Sequence, residues 1–368
     1  MPDCAASPRR SPPSEGQAGP LAAGDRSVAE WGDCPRKRTG FRGRWAAPHR
    51  EVALSGIVIV DKPSGITSHD VVAAVRRMAG QRKVGHAGTL DPMASGVLLV
   101  CLGQATRVVE YLMAGAKSYH ATILLGQTTT TYDVEGEVIT SGGRTDFSRA
   151  EIEAALASFV GPIEQVPPIY SALKQQGQPL YKLARQGKEV ERLPRPVEIY
   201  GLELLGWTPP ALTVKVTCSP GTYVRSLAHD LGQRLGSGAC LSGLVRLRSG
   251  RFSLEEAVSL ERLEEAFQHG QEGDYLLPLD EALFDLPALI LSQADTQRII
   301  QGQSIEVLQH PTSPTSSRFE GRDKVQNPES KIQNGVECRA YSAAGDLVAI
   351  LVYGPAILSW RPRKVFAA

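Results

Sequence analysis

The chain has 368 residues, of which 42% are hydrophobic, and its formal net charge is +1 at pH 7. That length allows two domains, and the near-neutral charge leaves a nucleic-acid partner open, because basic residues can gather on one face. Six cysteines without a C-x-x-C pair exclude zinc sites of the usual spacing and favour a reducing compartment. No apolar run approaches a membrane span. We therefore expect a cytoplasmic protein that binds no membrane.

Residues 1–52 differ in composition from the rest of the chain. They are rich in Pro, Gly, Ser and Arg and show neither a helical nor a strand period, which predicts disorder. The segment also lacks the apolar stretch of a secretory signal. Three interpretations stay open: a solvated tail, a basic arm that binds nucleic-acid phosphates, and an organelle transit peptide or a start codon assigned too far upstream.

The first ordered elements are a strand, a helix and two further strands. An apolar run at 56–60 predicts a buried strand that ends in a Pro/Gly turn. Ser68 is predicted to cap the following helix, and Gly80 to end it. A second apolar run at 97–102 predicts another buried strand, and the alternation at 119–125 predicts a strand with one buried face.

Helices and strands continue to mix in the second part of the chain. A capping box at Ser148 predicts a helix, and the alternation at 212–218 predicts a strand. Leucines at helical spacing predict a helix that ends at Gly236, and a second capping box predicts one that begins after Ser253. Because strands and helices do not alternate strictly, the pattern favours an α+β fold over a doubly wound sheet.

Composition divides the ordered chain into two predicted domains. The larger, at 53–286, contains a basic excursion with prolines and glycines at about 167–197. The smaller, at 287–368, is β-rich and is interrupted at about 310–335 by a polar, aperiodic segment that is typical of a flexible insertion.

The densest cluster of potentially reactive residues lies at 83–96, directly before a predicted buried strand. Its three glycines and one proline predict an irregular loop, held rigidly by the strand, that presents His86 and Asp91. Taken alone, Asp91 before a proline is more typical of a turn, and His86 of an ordinary loop histidine. The spacing excludes a phosphate-binding P-loop, and no serine or cysteine nucleophile lies near enough in sequence to suggest a triad.

The stretch at 85–98, G-H-A-G-T-L-D-P-M-A-S-G-V-L, closely resembles a motif of the TruB family of transfer-RNA pseudouridine-55 synthases. Further blocks follow in family order: Asp61 to Ser68, Lys117 to Tyr119, Pro167 to Lys174, Gly221 to Ser226 and Gly238 to Arg246. The resemblance is strong over about 55–265. It implies a catalytic domain with a mixed, largely antiparallel sheet and flanking helices, followed by a PUA-like RNA-binding domain.

The resemblance also implies roles for single residues. Asp91 matches the catalytic carboxylate, and Arg225 matches its paired arginine. The other matched active-site positions are Lys62, His86, Tyr119, Tyr223 and Leu244. Of these, Tyr119 is expected to stack on the target base and act as a general base, His86 to fill the space left by the flipped base, and Leu244 to line the uracil pocket. Without the resemblance, both tyrosines are more typical of a core and Arg225 of a helix surface.

The excursion at 167–197 resembles the family's mobile thumb, which closes on the T loop. The expected RNA-binding residues are Lys174, Lys182, Arg185, Lys188 and Arg246. On charge alone, a solvated surface loop is an equally good interpretation. The sequence also departs from the family at Thr130, where an aspartate is usual although Asp133 remains nearby, and at Val245, where an arginine is usual.

The implied reaction isomerises uridine to pseudouridine at position 55 in the T loop. It breaks the N1–C1′ bond, turns the base and rejoins it through C5, with no oxidation and no group donated. We therefore expect no cofactor and no metal, the T stem-loop of tRNA as partner, and a monomer. Two alternatives stay open: a pseudouridine synthase for ribosomal or guide-directed RNA, and a non-catalytic RNA-binding protein.

Overall fold

A computed structural model describes residues 53–171, 192–306, 335–354 and 359–366, together with the backbone of 174–175 and 178–179. Within them the chain is α+β, as predicted: six α-helices accompany one large mixed sheet, one four-stranded sheet and two two-stranded sheets. The predictions for residues 1–52 and for most of the insertion at 310–335 lie outside the described residues. No described helix combines the length and apolarity needed to cross a bilayer.

The α-helices are α1 (Ser68–Met78), α2 (Val109–Ala114), α3 (Arg149–Ala157), α4 (Val224–Leu235), α5 (Leu260–His269) and α6 (Gln293–Ile300). The strands of the first half are β1 (Gly56–Lys62), β2 (Val84–Ala87), β3 (Ser95–Leu102), β4 (Lys117–Leu125), β5 (Gln127–Thr129), β6 (Val138–Ser141), β7 (Gly161–Gln165), β8 (Lys174–Gln175) and β9 (Gln178–Pro179). Those of the second half are β10 (Arg195–Thr208), β11 (Ala211–Cys218), β12 (Ala239–Ser249), β13 (Phe252–Ser253), β14 (Val258–Ser259), β15 (Ala288–Ile290), β16 (Glu337–Tyr341), β17 (Leu347–Gly354) and β18 (Ser359–Val365).

The large sheet has the strand order β14-β1-β3-β12-β4-β11-β10-β7, with β2 beside β3 and β13 beside β12. Most neighbours are antiparallel, as predicted, whereas β14 runs parallel to β1 and β12 parallel to β3. The apolar faces of α1, α4 and α5 pack with this sheet in one core. The order places β12 between β3, which follows Asp91, and β4, which carries Tyr119.

The first helix begins one residue earlier than its predicted cap implies. Thr67, not Ser68, is the N-cap: its hydroxyl accepts from the Asp70 backbone N–H, and the Asp70 carboxylate accepts from that of Thr67. Both residue types can cap, but only Thr67 has an acidic residue three positions on to complete a capping box. The prediction that Ser68 caps the helix is therefore wrong, and its hydroxyl is used elsewhere.

The other predicted helix boundaries have mixed outcomes. The capping box at Ser148 and the helix end at Gly236, which has a left-handed φ of 67°, are confirmed. The box at Ser253 also forms, but it opens only a short 3-10 turn, and α5 begins after Ser259. Between the 3-10 turn and α5, residues Val258 and Ser259 form strand β14. Pairing with β1 gives these residues the backbone hydrogen bonds that a longer helix would have given them.

The small sheet has the order β15-β16-β17-β18 and forms the predicted β-rich C-terminal region. Its core is apolar and includes Trp360, which is fully buried, together with residues of α6. Polar contacts join the sheet to α2. The Tyr111 hydroxyl donates to the Glu337 carboxylate (2.6 Å), and Lys364 Nζ lies 2.9 Å from a Glu110 oxygen.

Candidate active site

Asp91 lies in a short loop between β2 and β3, and all the backbone carbonyls of this loop are hydrogen-bonded. Each carbonyl oxygen from residue 88 to residue 94 accepts a hydrogen bond. Five of the seven accept from a side chain only, one from a backbone N–H only, and one from both. The side-chain donors are Lys62, Ser64, Ser68 and Arg246. Because every carbonyl from 88 to 94 already accepts a hydrogen bond, the loop backbone is fixed and holds Asp91 in one position.

Lys62 is one of these donors and is fully buried. Its ammonium donates to the loop carbonyls of Pro92 (3.3 Å) and Ala94 (2.6 Å), and to that of Pro63 (2.9 Å). Burial lowers the pKa of Lys62 to about 8, although the negative charge of Asp91 opposes this shift. Lys62 therefore lies at the predicted active site, and it acts there on the backbone of the loop.

Arg246, on β12, holds the other side of the loop. Its guanidinium donates to the carbonyls of Gly88 (3.1 Å), Thr89 (3.4 Å) and Val97 (2.7 Å). The side chain is only 2% exposed. This burial and these partners favour a structural role over the predicted contact with an RNA phosphate, since the guanidinium is already committed to backbone oxygens.

The close approach of β12 to this loop depends on Gly96. Its φ is 98°, and a Cβ there would lie 2.3 Å from the carbonyl oxygen of Arg246. No other residue type fits that contact without moving the strand. Ser68 completes the support: its hydroxyl binds both the N–H (2.9 Å) and the carbonyl (3.1 Å) of Leu90, the residue before Asp91.

Asp91 and Arg225 form an ion pair with two contacts. Arg225 Nε lies 2.8 Å from Asp91 Oδ2, and Nη2 donates to Oδ1 at 3.0 Å. The arginine side chain is 5% exposed, whereas the aspartate side chain is 32% exposed. The cation of the pair is thus buried, whereas the carboxylate is partly exposed. A substrate can reach the exposed side of the carboxylate.

Arg225 also binds acceptors other than Asp91. It donates to the carbonyls of Thr131 (3.2 Å) and Tyr170 (2.9 Å), and Nη1 lies 3.4 Å from Asp133 Oδ2. Asp133 is 4% exposed and was not among the predicted site residues. The signal for it was weak, because an aspartate in a run of threonines is also typical of a turn. Its carboxylate supplies the second negative charge beside the buried guanidinium.

The pKa of Asp91 is raised above its usual value. Burial is the largest cause, Arg225 opposes it by charge and hydrogen bonding, and Asp133 adds to the rise through like-charge repulsion. Arg225 is therefore the group that keeps the carboxylate available as an anion against the effect of its surroundings.

Tyr119 lies on β4, opposite Arg246 of β12, and is 8% exposed. Burial raises the pKa of its hydroxyl, Arg246 opposes that rise, and the negative charge of Asp91 adds to it. Tyr119 and Asp91 therefore lie within electrostatic range of each other, and the phenol is neutral at neutral pH. This neutral form fits the predicted stacking of Tyr119 on a base. A general base would need the phenolate, which is not the form present before substrate binds.

Tyr223 precedes the first residue of α4, two positions before Arg225. Gln165 fixes its backbone: the Gln165 amide donates to the Tyr223 carbonyl (3.0 Å) and accepts from the Tyr223 N–H (2.7 Å). Burial raises the pKa of the Tyr223 hydroxyl, and Asp91 contributes to the rise. Arg225 thus contacts Asp91, and both tyrosines lie near enough for the charge of Asp91 to raise the pKa of their hydroxyls.

Two further predicted residues lie on strands of the large sheet. His86 lies on β2 rather than in an irregular loop, since 84–87 pair with β3. Burial and nearby positive charge, first that of His69, lower its pKa. Leu244 is 8% exposed on β12, opposite Ala121 of β4. Their proposed roles toward a flipped base and a uracil ring remain predictions.

The predicted RNA-binding lysines and arginine of the thumb are not described. Lys182, Arg185 and Lys188 lie outside the described residues. For Lys174 only the backbone is described, as part of the two-residue strand β8. The prediction that they contact RNA therefore stays a prediction.

Solved structures first define the class of protein to which this fold belongs. The protein from a Cbf5–Nop10–Gar1 complex superposes with a TM-score of 0.64 at 27% identity over 85% of each chain. One from an H/ACA ribonucleoprotein bound to a substrate RNA containing 2′-deoxyuridine gives 0.62 at 25% identity, again over 85% of each. The chain therefore has a pseudouridine synthase fold.

Sequence comparisons then identify the family. Residues 76–224 match the family model described as TruB family pseudouridylate synthase (N terminal domain), and residues 225–284 match the tRNA pseudouridylate synthase B C-terminal domain. A tRNA pseudouridine synthase B of Syntrophotalea carbinolica is 49% identical over 68% of this chain and 81% of its own length. One from Dehalococcoides mccartyi is 43% identical over 85% and 97%. The chain belongs to the TruB family of pseudouridylate synthases, which act on RNA.

Proposed function

We propose that this protein converts one uridine of the tRNA T loop, at position 55, to pseudouridine, and that Asp91 is its catalytic carboxylate. The observation that carries the proposal is the pairing of Asp91 with Arg225 at 2.8 Å on a loop whose seven carbonyls are all bound. Relatives at 43–49% identity bear the name tRNA pseudouridine synthase B, which supports tRNA as the substrate.

The chemistry requires a fixed anion beside the sugar. The N1–C1′ bond breaks, a C5–C1′ bond forms, C5 loses a proton and N1 gains one, so the atoms balance without a co-reactant. Positive charge develops at the sugar when the glycosidic bond breaks, and a carboxylate can stabilise or trap it. Arg225 holds Asp91 in place and favours its ionised form, and the exposed face of Asp91 meets the substrate.

The target uridine has to leave its loop to reach Asp91. Extruding a base costs a few kcal/mol, and stacking on an aromatic ring returns about 1–3 kcal/mol. Tyr119 is the proposed stacking partner, Tyr223 and Leu244 the proposed walls of the base pocket, and His86 the proposed occupant of the space left in the RNA. A general base must then remove the C5 proton. We expect the protein to act as a monomer in the cytoplasm.

The proposal is tested by incubating the purified full chain with an unmodified tRNA transcript and mapping pseudouridine by sequencing. We expect modification at position 55 alone, and none with Asp91→Asn, which should still bind the transcript. Asp285→Asn, a change at an exposed aspartate outside the site, is the matched control and should retain activity.

The same experiment separates the remaining alternatives. One structural neighbour comes from an H/ACA ribonucleoprotein, so ribosomal fragments and guide-dependent substrates belong in the assay as separate arms. Modification of those RNAs but not of tRNA would reject the proposed substrate. Full activity of Asp91→Asn would reject the proposed catalytic residue.

A further inference from the structure

The turn that supplies two of the acceptors of Arg225 has an unusual backbone. Both the carbonyl of Thr131 and the carboxylate of Asp133 face the guanidinium. Tyr132, between them, has a φ of 65° and is the one non-glycine residue with a positive φ among the described residues. A side chain disfavours that conformation, so surrounding contacts have to impose it.

Those contacts come from three directions. The Tyr132 N–H donates to the Thr129 carbonyl (3.3 Å), and the Tyr132 carbonyl accepts from the N–H of Leu241 on β12 (2.9 Å). The Tyr132 ring lies parallel to the imidazole of His229, with centroids 4.0 Å apart and an interplanar angle of 12°. Hydrogen bonds thus fix the backbone of the turn, and the stack fixes its outward side chain.

His229 connects the turn to the helix that carries Arg225. It lies four residues after Arg225 on α4, one helical turn further along the same side. Its Nδ1 is buried and has no hydrogen-bond partner among the described residues, so no bond at that atom orients the ring. The stack with Tyr132 is therefore a contact between the turn and the helix that carries Arg225, in addition to the bonds that Thr131 and Asp133 make with the guanidinium.

A third residue joins the stack to the base of the predicted thumb. Arg192 Nη1 donates to the Tyr132 hydroxyl (3.4 Å) and to the carbonyl of Pro167 (3.3 Å). Pro167 and Arg192 stand near the two ends of the predicted excursion at 167–197. The Tyr132 hydroxyl is thus linked through Arg192 to Pro167 at the start of that excursion.

We propose that Tyr132 and His229 are positioning residues that hold Asp133 and the Thr131 carbonyl against Arg225, and through Arg225 fix Asp91. Neither side chain is assigned a contact with substrate. Loss of the stack would leave the disfavoured φ supported by the backbone hydrogen bonds alone, and it would loosen the hold of the turn on the second carboxylate beside the guanidinium. The expected effect on the reaction rate rests on the proposed function. The structural coupling of Tyr132 and His229 to Asp133 and Arg225 does not depend on it.

The test compares substitutions that separate the ring from the backbone strain. Tyr132→Gly removes the ring but tolerates a positive φ. We expect the single-turnover rate of pseudouridine formation to fall roughly 10-fold, which is within the range of interaction energies between residues in contact. The dissociation constant for tRNA should change less than about twofold. Tyr132→Phe keeps the stack and should restore most of the rate. His229→Ala should match Tyr132→Gly, and Tyr200→Ala, at an exposed tyrosine on β10, is the control.

Double substitutions decide whether the effect passes through Asp133. In an Asp133→Asn background, Tyr132→Gly should cause little further loss of rate. A wild-type rate for Tyr132→Gly, or rate losses that multiply in the double variant, would overturn the inference. If wild-type protein forms no pseudouridine, the proposed function fails, and the inference is judged by unfolding free energies: the same pair of changes should be non-additive in denaturant titrations, and additivity would overturn it.

Discussion

The loop at 88–94 and the C-terminal sheet are held in place by different chemistry. Besides the core contacts of Leu90 and Ala94, the loop is held by buried side-chain donors from β1, α1 and β12, which bind its carbonyls. The sheet instead encloses an apolar cluster around Trp360, and it meets α2 through polar contacts and through a small apolar cluster around Ile350. Polar contacts are directional and fix atomic positions, whereas apolar burial mainly stabilises. Substitutions in the two regions should therefore affect different measurements.

The largest effect is expected from Arg225→Leu. Removing the guanidinium leaves Asp91 and Asp133 without their shared cation, so burial raises the pKa of Asp91 further and neutralises it. We expect the single-turnover rate to fall roughly 1,000-fold, about 4 kcal/mol in the barrier, with a much smaller change in tRNA affinity. Arg234→Leu, at an exposed position of the same helix, is the control. Equal losses of rate and affinity would contradict the pairing role.

Trp360→Ala tests the apolar core of the C-terminal sheet. The ring is fully buried in the core of the small sheet, and its loss leaves a cavity. We expect the unfolding free energy to fall by about 3 kcal/mol, measured by denaturant titration, while the rate per folded molecule stays close to wild type. A rate loss as large as the one in Arg225→Leu would show that the small sheet also shapes the active site.

The smallest effect concerns Lys62 and the pH dependence of stability. Its pKa of about 8 in the folded protein lies below its usual value, so the unfolded chain binds more protons above pH 8. Stability should therefore rise with pH, by about 2 kcal/mol between about pH 8 and about pH 10. Lys62→Met should lack this part of the rise. Lys117, with a similar pKa, remains in both proteins, so the difference between the two curves isolates Lys62.

The sequence predicted the elements and the centre of the site more fully than the supports around it. The α+β class and the buried strands followed from apolar periodicity, and the family motif implied the pair of Asp91 and Arg225, which the structure places in contact. The boundary at Ser253 was missed because a capping box describes only local bonds. Whether the chain continues as a helix depends on a distant strand, β1.

The role of the residues that support the loop was missed for a related reason. Lys62, Ser68 and Arg246 bind backbone oxygens of a loop that lies 20 or more positions away in sequence, and no pattern of residue types shows which carbonyl a side chain reaches. Arg246 was expected at the RNA surface because arginine is typical of phosphate contacts. Its burial follows from the place of β12 in the middle of the sheet, which only the topology reveals.

The parallel pairing of β12 with β3 has a consequence for the order of folding. Val245 and Arg246 pair with Ser95 and Gly96, which precede them by about 150 positions, so this contact closes a very long stretch of chain. Loop closure of that size is slow, and it comes after local hairpins such as β10–β11. A ribosome-bound chain that ends at Cys218 contains the whole Asp91 loop but neither arginine that holds it. Competence for chemistry therefore arrives late in synthesis, after the last third of the chain has begun to emerge.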